Sequence, residues 1–91
     1  MKRQDFFSEI TSQIAALESK YGLYQEFCDR ANWFILVNEE DWVTIRKDFF
    51  IVEHSFVLDK FNEWYFLGIK VVSTINKMNP TLVVELNKIK Q

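Results

Sequence analysis

From Phe7 onward, apolar residues return at alternating intervals of three and four: Phe7, Ile10, Ile14, Leu17, Tyr21, Tyr24, Cys28 and Ala31. That spacing places them on one face of a helix. Asp5 is positioned to cap its start by accepting from first-turn amides, and Glu9 sits near the positive end of the helix dipole. Gly22 interrupts the run at a cost of about 1 kcal/mol relative to alanine, yet the stripe stays in register across it. Systematic flanking charge pairs are missing, so the expectation is a helix lying on its own sheet rather than a coiled coil.

The pattern changes at Trp33. Trp33-Phe34-Ile35-Leu36-Val37 is a continuous apolar run of strand length, and β-branched and aromatic residues dominate from there to about Thr74. The runs from Trp42 to Arg46, Phe49 to Val57 and Trp64 to Val72 read as three further strands. Polar turns at Asn38–Asp41, Arg46–Asp48 and Asp59–Glu63 separate them. Short connections pair consecutive strands most simply as an antiparallel meander. Asn79 and Pro80 then form a helix-start signal, with Leu82, Val83, Leu86 and Ile89 on one face and Lys88 and Lys90 near the far end.

The predicted fold is therefore α+β, a single domain over residues 1–91: a long N-terminal helix, a four-stranded antiparallel meander and a short C-terminal helix. A rival all-α bundle has its own support. Trp42, Ile45, Phe49, Val52 and Phe56 also follow helical spacing, and Asn38 before Glu39, Glu40 and Asp41 would cap a helix well. Strands are preferred because no alanine follows Ala31 and the stretch is rich in β-formers. The predicted element order resembles that of double-stranded RNA-binding domains. The basic cluster expected at the start of their final helix is missing here, where Asn79-Pro80-Thr81-Leu82-Val83-Val84 follows Lys77. No residue roles are carried over from that resemblance.

Composition narrows the function. Nine Phe, three Trp and three Tyr stand against one His, one Cys, two Gly and one Pro. A domain of this size buries roughly 60–65% of its unfolded surface, so some aromatic area is expected near the surface or against another chain. A net charge of −2 argues against direct nucleic-acid binding, which needs a positive field. Cys28 has no internal disulfide partner, and polar residues from Ser8 to Gln13 break the N-terminal apolar run that a signal peptide needs. No run is long enough to span a bilayer. A cytoplasmic protein without membrane association is expected.

Reactive apparatus is thin. In a strand, Glu53 and Ser55 would point away from His54, so no nucleophile or carboxylate neighbour serves it. Cys28 lies on the apolar stripe and reads as a core residue. Glu39-Glu40-Asp41 lacks the spacing and glycine of a calcium loop, and zinc would want several Cys or His ligands. No catalytic residue, metal or cofactor is expected.

What remains is geometric. In a four-strand meander the first and third turns leave the same end of the sheet. That gathers Glu39, Glu40, Asp41, Asp59 and Glu63 at one rim, beside Trp42, Phe61 and Trp64, with Arg46 and Lys47 at the opposite end. Alternation directs Tyr65, Leu67, Ile69 and Val71 toward the helices. It leaves Trp42, Phe49, Trp64 and Phe66 on the other face, among Thr44, Arg46, Glu53 and Lys70. Those four aromatics and the five acidic residues are the expected partner-binding set. The expected function is a small inhibitor-like module that occupies another protein's basic surface, as an immunity protein, antitoxin or phage anti-defence factor does. The alternative is a subunit of an obligate homo-oligomer or larger assembly, a homodimer being the simplest case.

Overall fold

A computed structural model describes residues 2–22, 29–47 and 56–85. Helix α1 spans Arg3–Tyr21, a 3₁₀ turn spans Arg30–Asn32, and β1 runs Trp33–Asn38. Helix α2 (Glu39–Arg46) follows directly, then strands β2 (Phe56–Leu58), β3 (Trp64–Phe66), β4 (Ile69–Thr74) and β5 (Thr81–Val84). The five strands form one mixed sheet in the order β2-β3-β4-β1-β5. The α+β class stands; the meander does not. β1 pairs with β4 in parallel, while β2–β3, β3–β4 and β1–β5 are antiparallel.

The N-terminal helix forms as its periodicity predicts, but the buried stripe starts one residue earlier. Phe6, Ile10 and Ile14 are buried with Leu17 packed beside them, and Phe7 is 40% exposed. Asp5 acts from the third helical position, accepting from the Lys2 backbone N–H at 3.3 Å, rather than as the N-cap.

The predicted second strand, Trp42 to Arg46, is the body of α2. Asn38 ends β1 and starts this helix: its side-chain oxygen accepts from the backbone N–H groups of Glu40 (3.1 Å) and Asp41 (3.4 Å). Three acidic residues then occupy the first turn, where the dipole favours negative charge. Trp42 and Ile45, three apart, are buried against the sheet. A strong cap and an i,i+3 apolar pair outweighed the β propensity of Val43, Thr44 and Ile45.

The predicted long strand from Trp64 to Val72 is two strands joined by a tight turn. Leu67 (φ +51°) and Gly68 (φ +79°) hold left-handed backbone at both central positions, as a type I′ hairpin requires. Phe66 pairs across it with Ile69, and Tyr65 with Lys70. The turn reverses the face assignment of β3 relative to an unbroken strand, so Phe66 joins Ile69 in the core. Tyr65 joins Lys70 on the opposite face.

The C-terminal helix signal at Asn79-Pro80 is also overridden. Thr81–Val84 is strand β5, paired with β1 through Phe34↔Val83 and Ile35↔Leu82. Thr81, Val83 and Val84 are β-branched and gain a ladder partner there. Residues 86–91, which carry the rest of the predicted helix, lie outside the described residues. So does most of the predicted third strand, of which only Phe56 and Val57 are described, in β2.

Both helices cover one face of the sheet. The core unites Phe6, Ile10 and Ile14 of α1, Trp33, Ile35 and Val37 of β1, Trp42 and Ile45 of α2, and Phe66 and Ile69. Its centre is aromatic: Phe66 meets Phe6 edge-on at 5.0 Å and Phe56 at 4.7 Å between centroids, and Trp42 meets Trp64 edge-on at 5.9 Å. Such pairs add about 0.5–1.5 kcal/mol each beyond the area they bury.

Candidate functional site

The expected partner-binding residues divide sharply by location. Phe66 is fully buried and Trp42 is 6% exposed; both belong to the core. Trp64 is half-buried, packed edge-on against Trp42. Phe49 lies outside the described residues, as do Glu53, His54 and Cys28.

The acidic residues occupy two neighbouring places at one end of the sheet. Because β1 and β4 are parallel with Asn38 opposite Thr74, both strands end there. β3 runs the other way, so the β2–β3 turn leaves the sheet at that same end. Glu39 and Glu40 are exposed on the first turn of α2, and Asp41 is half-buried beside them. A cleft lined by Asn38, Glu40, Asp41, Lys77, Met78 and Asn79 shows that the β4–β5 connection abuts this turn. Asp59 and Glu63 belong to the β2–β3 turn. A second cleft joins Asn62 and Glu63 of that turn to Trp42 and Arg46 of α2. Arg46 thus lies next to the acidic turn, over the Trp42 ring, and not at the opposite end as the meander implied.

Asp59 and Glu63 are committed to internal structure. One carboxylate oxygen of Asp59 accepts from the backbone N–H groups of Phe61 and Glu63, each at 2.9 Å, which closes the turn. Asn62 supplies its left-handed residue (φ +60°). Glu63 is paired with Lys70 at 3.1 Å and accepts from the Tyr65 hydroxyl at 3.4 Å. Desolvation first, then the charges of Asp59 and Glu63, push the Tyr65 phenol above its ordinary value. The hydrogen bond to Glu63, then the charge of that carboxylate, holds the Lys70 ammonium higher as well. Glu39 and Glu40 carry exposed negative charge on the first turn of α2.

Apolar side chains also project at this end. Phe61 is 71% exposed at the tip of the β2–β3 turn, and Ile75 is 84% exposed just past β4. Both stand on hydrogen-bonded backbone. The Phe61 N–H donates to Asp59. Beside Ile75, the Asn76 N–H donates to the Thr74 hydroxyl (3.2 Å) and its carbonyl accepts from the Asn38 side chain (2.8 Å). Since β3 neighbours β4, the two turns leave the sheet about 5–10 Å apart. Phe61 was legible in the sequence as a companion of the acidic rim. Ile75 was missed, although its isolation within Ser73-Thr74-Ile75-Asn76-Lys77 is the mark of an apolar residue with no periodic partner.

Among the described residues no group of three or more His, Cys, Asp or Glu side chains is arranged to hold a metal, and no helix is long and apolar enough to cross a membrane. Compared with family models, curated proteins and solved structures, the chain matches none.

Proposed function

We propose that this protein is a small binding module that acts by occupying the surface of another protein, through the sheet end that carries Phe61, Ile75 and the acidic first turn of α2. The observation that supports this reading is that, among the described residues, the two most exposed large apolar side chains stand on turns at the sheet end where α2 begins with Glu39 and Glu40. An exposed Phe and Ile would each gain about 1.5–3 kcal/mol on full burial in a partner's pocket. Their turns are already held by Asp59, Thr74 and Asn38, so little ordering entropy is lost on docking. Clustered carboxylates steer association toward a basic surface and raise its rate.

The partner in this reading presents a positively charged patch flanked by apolar pockets, as the cleft of a nucleic-acid-cleaving enzyme does. Blocking such a cleft is inhibition in the manner of an immunity protein, antitoxin or phage anti-defence factor, acting in the cytoplasm and without a cofactor. The anchors differ from those expected from sequence: Phe61 and Ile75 replace Trp42 and Phe66, which the core consumes.

The test is affinity capture from the source cell or its antagonist with wild type, Phe61→Ala/Ile75→Ala, and Glu39→Lys/Glu40→Lys. A partner held by wild type should be lost with the apolar double variant. With the charge-reversed variant it should associate more slowly and with weaker salt dependence. Equal binding by all three folded proteins would remove this end of the sheet from the proposal.

A further inference from the structure

We draw no further inference here: the strongest candidate, the sheet face opposite the two helices with its groove beside Phe34 and Tyr65, carries nothing, because nothing in the structure shows what covers it.

Discussion

The side chain of Gln13 on α1 meets Leu82 as a neighbouring strand would. Its Oε1 accepts from the Leu82 backbone N–H at 2.8 Å, while its Nε2 donates to the Pro80 carbonyl, also at 2.8 Å. Leu82 pairs with Ile35 on its other side, so Gln13 satisfies groups on the outer edge of the sheet. An edge strand offering free N–H and C=O groups invites another chain, and here a helix side chain occupies part of that edge. The same contact ties residues 69 apart in sequence and docks α1 on β5.

Gln13→Ala should therefore destabilise the fold by about 1–3 kcal/mol, since it leaves the partly buried Leu82 N–H and Pro80 carbonyl without this partner. Gln13→Glu should cost at least as much, because a carboxylate sets an acceptor against the Pro80 carbonyl. Urea denaturation monitored by tryptophan emission measures both.

Asn38 serves two elements with one carboxamide. Its oxygen caps α2 and its Nδ2 donates to the Asn76 carbonyl in the β4–β5 connection. Asn38→Ala should cost about 2–3 kcal/mol, the sum of a lost cap and a lost buried hydrogen bond. Asn38→Ser restores the cap but not the reach to Asn76, so about half the loss should return in chemical denaturation.

At Gly68 an added Cβ would meet nothing within 4 Å, yet φ is +79°. The cost of Gly68→Ala is thus conformational rather than steric, about 1 kcal/mol. Leu67 beside it already carries a positive φ, held by packing on the core and by the Arg30 guanidinium, which donates to its carbonyl at 2.6 Å. Thermal melts should show a small loss for Gly68→Ala with no change in secondary structure.

Phe66 and Phe61 separate core from surface. Phe66→Ala should cost about 3–5 kcal/mol, since Phe6, Phe7, Phe56 and Ile69 lose their shared centre. Phe61→Ala should change stability by less than about 0.5 kcal/mol, because Phe61 projects into solvent. Equilibrium denaturation of both variants checks the contrast.

The Tyr65 phenol and the Lys70 ammonium are both held above their ordinary values of 10.0 and 10.5. Each binds its proton more tightly in the folded chain than in the unfolded one. Their contribution is complete below those ordinary values and is lost as pH rises through the raised folded ones. Tm should fall on the alkaline side, above about pH 10, and less steeply in Tyr65→Phe/Lys70→Met. Absorbance at the phenolate band should lose a late-titrating component in Tyr65→Phe.

Local signals in the chain were sufficient for some elements. Phe6, Ile10, Ile14 and Leu17 repeat within a single helix, so α1 was readable from spacing alone, save for which phenylalanine leads the stripe. The cap that builds α2 was equally visible, in Asn38 ahead of three acids and the Trp42–Ile45 pair. It lost to β propensity because a helix start and a strand-rich composition are both local and favour opposite conformations over the same short stretch. Glu39 to Asp41 share one end of the sheet with Asp59 and Glu63, but not through the meander from which this was expected: parallel β1–β4 and antiparallel β3–β4 pairing bring the two segments there.

Tertiary structure decided what local patterns cannot carry. Whether Phe66 or Tyr65 faces the core depends on a two-residue turn at Leu67-Gly68, and one turn inverts every side chain before it. Thr81–Val84 became a strand because β1, far away along the chain, offered a backbone partner that outweighed the Asn79-Pro80 helix start. Helix periodicity and capping act within a few residues of the same chain, so the sequence alone determines them. Strand pairing and face are set by hydrogen bonds between distant segments, and those exist only once the sheet has assembled.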